Sequence, residues 1–240
     1  MKHGTAYAKR LKRFYGRINK VECPPELIEP TDLLEQLVLS ILGLEASRAQ
    51  ARRALDKVLA HMVDFNEIRV SPPRQIAALI SPYVPNSSTC AGKLCGVLNA
   101  VFASQNTLRL DSLRSLGKRE AKQKLETLGG MEPYCVASVL LWSLGGHALP
   151  VNSKVLEALR REEVVDPRAS VAEVQSFLER HISPAEAKVF CLSLEQFAGQ
   201  APSSKTKTGL ASHPARRTAQ PGGRNRRSHS GSGGKVAPRH

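Results

Sequence analysis

Apolar positions fall at helical spacing along most of this chain. Leu34, Leu37, Val38 and Ile41 recur three and four residues apart, with Asp32 and Glu35 placed as a cap and its third-position partner. Ala51, Leu55, Val58, Leu59 and Met62 form a second stripe of the same period. Further helices are predicted over 74–80, 91–102 and 118–128, the last with Lys118, Lys122 and Glu126 on a solvated face. Ser170-Val171-Ala172-Glu173 and Ser183-Pro184-Ala185-Glu186 each set a hydroxyl three residues before a glutamate. Both predict a helix start, the second with proline at the first helical position. Strand-like alternation is confined to short pieces such as 67–70. The pattern predicts an all-α fold.

Between these two groups lies a segment with a specific order of parts. Leu125-Glu126-Thr127-Leu128-Gly129-Gly130-Met131-Glu132-Pro133 reads as a helix end, a glycine turn and a new helix opening at proline. The helix predicted over 133–144 sets Val136, Val139, Leu140 and Leu144 on one face. Gly145-Gly146-His147-Ala148-Leu149-Pro150 then forms a loop, and Val151-Asn152-Ser153-Lys154 opens a helix containing Val155, Leu156 and Leu159.

Charge divides the chain into regions. The formal charge is +14, yet residues 1–20 and 201–240 together hold sixteen of the 35 basic residues and none of the 21 acids. What remains, 21–200, is close to neutral at about −2. Two cationic ends on a near-neutral body favour a polyanionic partner such as nucleic acid. From Gln200 onward Ser, Gly, Pro, Arg and Lys dominate, a composition that cannot bury enough apolar surface to order itself. The expected organisation is therefore a basic N-terminal arm over 1–24, a helical domain over 25–198 and a disordered basic tail over 199–240. No apolar run approaches the roughly 18 residues of a membrane span. The five cysteines, Cys23, Cys90, Cys95, Cys135 and Cys191, are odd in number and lack metal-ligand spacing, so a reduced, cytoplasmic setting is expected, on the nucleoid if the source is bacterial.

The order of parts between 125 and 160 resembles the helix-hairpin-helix glycosylases of base-excision repair, most closely their endonuclease III-like branch. That family shows a Leu-Pro-Gly-Val-Gly hairpin, a helix, a Phe-Gly loop and a Val-Asp pair that opens the next helix. Leu128-Gly129-Gly130-Met131-Glu132, Leu144-Gly145-Gly146 and Val151-Asn152 stand in these places. The resemblance spans about 25–198, with the hairpin motif over about 118–145. It implies a two-lobed helical fold with a cleft for double-stranded DNA. Gly129, Gly130, Met131, Glu132 and Lys93 would meet the backbone without reading sequence, and an extruded base would lie between the lobes. Tyr134 and Asn152 would line that pocket, and Glu45 would stand where relatives place a glutamine that fills the vacated stack.

The departures are as informative as the match. Relatives use an aspartate where Asn152 stands, and a carboxylate stabilises the oxocarbenium charge of glycosidic cleavage. An amide carries no charge, and the expected loss is roughly 10²–10⁴-fold or more. Tyr134 occupies the place of the lysine that forms a Schiff base in bifunctional relatives, so lyase chemistry is not expected. Glu132 sets a carboxylate beside the presumed phosphate position. No cysteine follows Cys191, which leaves no donor set for an iron–sulfur cluster, and neither a metal nor another cofactor is expected. Lys154, His147, Trp142 and Cys135 read as surface, loop or core residues.

Three readings stand. The first is a DNA-binding protein of this superfamily whose glycosylase activity is weak or lost and whose lyase activity is absent. The second is a working monofunctional glycosylase, with Glu132 or Glu45 as a replacement carboxylate. The third is a helical interaction module for nucleic acid or protein whose cleft is vestigial.

Overall fold

The computed structural model describes residues 4–18, 20, 22 and 32–200. These residues form α1 (Gly4–Arg17), α2 (Leu33–Leu42), α3 (Arg48–Leu59), α4 (Phe65–Val70), α5 (Pro73–Ile80) and α6 (Ser87–Gln105). A 3-10 turn (Asp111–Ser115) leads to α7 (Lys118–Thr127), α8 (Pro133–Trp142), α9 (Ser153–Arg161), α10 (Val171–His181) and α11 (Ala187–Gly199). No strand occurs among the described residues, so the architecture is all-α. None of their helices is long and apolar enough to cross a membrane. The tail expected beyond 200 lies outside the described residues, as does most of 19–31.

Capping side chains set many of the helix starts. Asp32 accepts from the Glu35 N–H, Asp64 from the Glu67 N–H and Asn152 from the Val155 N–H, each within 2.9 Å. Ser170 and Glu173 form the expected reciprocal capping box, and Ser47 and Gln50 form another that the apolar pattern did not reveal. Two starts depart from expectation. Ser183 does not cap α11: its hydroxyl donates to the Glu186 carboxylate at 2.7 Å, the intervening residues turn, and the helix begins at Ala187. The short alternating piece 67–70 is helical. Asp64 caps it, Ile68 is fully buried, and Val70 faces solvent, so the alternation records two faces of one helical turn.

Two apolar cores organise the described residues. The first gathers α2 to α7 and the first part of α8, through Leu37, Ile41, Leu55, Ile76, Leu98 and Val139 among others. The second gathers the end of α8 with α1, α9, α10 and α11. Helix α8 belongs to both: Tyr134 through Trp142 are all buried, with Val139 and Leu140 in the first core and Leu141 and Trp142 in the second. The single apolar face expected for this segment is thus a helix buried on every side. Its small residues Cys135 and Ser138 permit close packing on α2, where the Ser40 hydroxyl meets the Cys135 thiol.

The basic N-terminal stretch is more than an arm. Leu11, Phe14 and Ile18 are buried in the second core, and Phe14 packs edge-on against Phe197 with ring centroids 5.1 Å apart. Burying such side chains contributes roughly 1.5–3 kcal/mol each. Lys9, Lys12 and Arg13 remain on the exposed face, whereas Arg10 and Arg17 pair with Glu163 and Glu162.

Candidate nucleic-acid interface

Helices α7 and α8 are joined by the hairpin Leu128–Glu132, and its geometry follows from glycine. Gly130 adopts φ +83°, a conformation that side chains disfavour, and a β-carbon there would meet Val97 at 3.4 Å. The turn therefore rests on α6 with Gly129 and Gly130 exposed. Among the described residues no acceptor takes the N–H of Gly129, Gly130 or Glu132. Three backbone donors at a helix N-terminus make an anion-binding arrangement.

Lys93 of α6 reaches this hairpin, but its partner is Glu132. The ammonium lies 2.5 Å from the carboxylate, both half-exposed, and the hydrogen bond to Glu132 raises the lysine pKa. The acidic replacement in the hairpin is thus matched by a lysine from the neighbouring helix, and the local charge is balanced. Met131 is partly buried against the first core.

The other matched positions converge on Gly43, at the end of α2. Asn152 is 8% exposed; its side-chain oxygen caps α9 through the Val155 N–H at 2.9 Å, and its amide nitrogen donates to the Gly43 carbonyl at 3.1 Å. Both ends of this amide are in use. A β-carbon on Gly43 would come within 3.1 Å of both the Tyr134 hydroxyl and the Leu39 carbonyl, so a larger residue would push these neighbours by a few tenths of an ångström. Burial, and next the charge of Glu195, push the Tyr134 phenol far above its ordinary pKa, which keeps it neutral.

Beside this junction α2, α3 and α8 border a partly open cavity of about 450 Å³. Gln36, Ser40, Gly43, Arg48, Tyr134 and Ser138 contribute to its wall. Asn152 is not part of that wall but hydrogen-bonds one of its residues, Gly43. No carboxylate lines the cavity. Glu45 instead accepts from Asn86 at 2.6 Å, and Glu132 faces Lys93. Arg48 stacks on Trp142, 4.1 Å from the ring centroid, and its Nε lies 3.3 Å from Glu195 of α11. Arg52 pairs with Glu35 at 2.7 Å.

Gln36, Ser138, Arg48 and Glu195 did not stand out in the sequence. Their one signal was polarity inside strongly apolar helices, most visible for Gln36 and Ser138. His147 bonds the Ile182 carbonyl at 3.0 Å, and Lys154 is exposed on α9. Burial raises the Cys135 thiol to about 11 and the Cys90 thiol to about 12, so neither is a ready nucleophile. Among the described residues no group of three His, Cys, Asp or Glu side chains converges as a metal site.

No family model matches the chain. A protein of Arabidopsis thaliana named "Putative DNA glycosylase" is 25% identical over 162 residues, which is 67% of this chain; the chain spans about half (54%) of that relative's length. A thermostable thymine-DNA glycosylase superposes with a TM-score of 0.55 at 17% identity, over 85% of this chain and 89% of the other. Endonuclease III, trapped as a covalent intermediate with DNA, superposes with a TM-score of 0.57 at 15% identity, over 82% of this chain and 86% of the other. The hairpin between α7 and α8, the shared central helix and these superpositions together show that the chain has the two-cored, all-α fold of the helix-hairpin-helix, endonuclease III-like DNA glycosylases.

Proposed function

We propose that this protein binds double-stranded DNA and holds an extruded base, with glycosylase activity weak or lost and lyase activity absent. The hairpin donors and the N-terminus of α8 would take a backbone phosphate, which positions the duplex without reading its sequence. The cavity beside Tyr134 would receive the base. One observation carries the loss of cleavage: the amide of Asn152 is held between the α9 N-terminus and the Gly43 carbonyl, and no carboxylate lines the cavity. Charge developing on the sugar would find no fixed counter-charge there. Tyr134 offers no amine, so no Schiff base can form at that position.

The test is direct. Duplexes bearing uracil, oxidised pyrimidines, alkylated bases or mismatches are incubated with the protein and treated with alkali. The expected result is retention on DNA with base release near background; release well above it on any substrate overturns the reading. Borohydride should trap no adduct on abasic DNA, and a trapped adduct would assign the chemistry to another amine such as Lys154.

A second reading, a working monofunctional glycosylase, draws on one feature. Glu195 lies against Arg48 at the cavity edge, and its Oε1 is buried without a partner. If that carboxylate serves, Glu195→Gln abolishes base release while duplex binding persists.

A further inference from the structure

Five buried side-chain polar atoms among the described residues have no hydrogen-bond partner, and four of them cluster at one place. Gln36 Oε1 and Ser138 Oγ belong to residues that line the cavity between α2, α3 and α8, and each residue is 2% exposed; the Ser138 hydroxyl lies within reach of the Tyr134 phenol, so Gln36 Oε1 is the fully unpartnered acceptor of the two. Trp142 Nε1 belongs to the ring that Arg48 covers, and Glu195 Oε1 to the carboxylate that pairs with Arg48. An unpaired buried polar group is a standing cost to the fold, and such groups mark places where a ligand completes the bonding. We infer that Gln36 and Ser138 read an uncharged base bearing ring N–H or exocyclic amine donors, and that the cavity excludes cationic, alkylated bases. This inference rests on the DNA-binding, base-extruding function proposed above.

The electrostatics select the charge class. Both arginines of the wall are already matched, Arg48 by Glu195 and Arg52 by Glu35, so the cavity offers no unbalanced cation to an anionic ligand. Nor does it suit a cation. No carboxylate lines it, the nearby Glu195 carboxylate is already matched by Arg48, and Tyr134 is the one aromatic residue in its wall, so a charged ring would find neither an unmatched counter-ion nor a pair of stacking faces. A neutral heterocycle is what remains. A carboxamide oxygen accepts from amine or imide N–H groups, and a hydroxyl adapts to either role, so these two residues can recognise a base edge. The cavity volume lies within the usual range for small-molecule sites.

The experiment uses the full chain and duplexes identical except at one position: a matched pair, a mismatched 2-aminopurine, a tetrahydrofuran abasic analogue, and 7-methylguanine. Affinity is read by anisotropy, and extrusion by 2-aminopurine fluorescence. The expected result is a preference of about 10-fold for the mismatched neutral base over the abasic and cationic sites. Gln36→Leu and Ser138→Ala should each reduce that preference by about 5-fold or more, and Gln36→Leu should also raise Tm. The rise in Tm of Gln36→Leu separates a reading role from a structural one, because only an unpartnered buried group is better removed.

Equal affinity for all three modified duplexes, or a preference that survives in both variants, overturns the inference while leaving DNA binding intact. A lowered Tm in Gln36→Leu also overturns it, by showing that the carboxamide oxygen has a partner within the fold. Failure to bind any duplex overturns the proposed function together with the inference.

Discussion

Asn152→Asp restores the carboxylate that the family resemblance leads one to expect, and the geometry around Gly43 sets its cost. In the native protein the amide nitrogen donates to the Gly43 carbonyl at 3.1 Å from a residue 8% exposed. An ionised carboxylate would place an acceptor against that acceptor. Losing the bond and leaving the carbonyl unsatisfied costs about 1–3 kcal/mol. The charge at the α9 N-terminus returns about 0.3–1 kcal/mol, because the Val155 N–H and the helix dipole favour an anion there. The net expectation is a loss of up to about 2.7 kcal/mol, about 1.4 kcal/mol at mid-range, or roughly 3–6 °C in Tm for a chain of this size.

The pH dependence has a definite sign. A protonated carboxyl can donate to the Gly43 carbonyl as the amide does, so the deficit should shrink as pH falls from 7 toward the carboxyl range. Calorimetric melting of both proteins at pH 7 and pH 5, with the alkaline-cleavage assay run in parallel, measures all of this. An unchanged or raised Tm at pH 7 would refute the claim that the amide is held by Gly43. A gain in base release with a lowered Tm would show that the cavity still accepts substrate and that charge was the missing element.

Three further outcomes follow from the packing and the ion pairs. Glu132→Gln should tighten binding to matched duplex by about 3–10-fold at low salt by releasing Lys93 toward phosphate, with the gain fading at high salt; an equal effect at both salts would exclude a charge mechanism. Phe14→Ala should cost about 3–5 kcal/mol by urea denaturation, since Phe14 is 2% exposed in the second core, and a loss below 1 kcal/mol would show that α1 is only loosely attached. Cys90 and Cys135, raised to about 12 and about 11 by burial, should resist iodoacetamide at pH 8 until the protein is unfolded, and rapid labelling of the native protein would refute that burial.

The charge distribution needs one adjustment. Two cationic ends on a near-neutral body would concentrate electrostatic affinity for DNA in those ends. Residues 4–18 are part of the second core, so deleting them would remove Leu11, Phe14 and Ile18 along with the basic residues. Charge reversal at Lys9, Lys12 and Arg13 on the exposed face of α1 tests the same idea without opening the core.

Local rules were legible wherever local bonding decides the outcome. Helical period, the caps at Asp32, Asn152 and Ser170, the glycine turn of the hairpin and proline at the start of α8 involve atoms a few residues apart, so their signatures survive in a linear string. The same holds for the family resemblance, which is a fixed order of such short signatures. The turn after Ser183 shows the boundary of that legibility, because a hydroxyl can satisfy a glutamate without starting a helix.

The pairing of distant groups obeys no short-range rule. Glu132 with Lys93 is 39 residues apart, Asn152 with Gly43 109, and Arg48 with Glu195 147. Each pairing depends on how helices cross, and crossing is set by the summed packing of two cores rather than by any one segment. That is why Asn152 could be recognised as a substituted catalytic position from the string, whereas the engagement of both ends of its amide could not. It is also why Gln36 and Ser138 looked like minor irregularities in apolar helices. Only the juxtaposition of α2, α3 and α8 turns them into two polar groups in the wall of one cavity, with the Gln36 oxygen left without a partner.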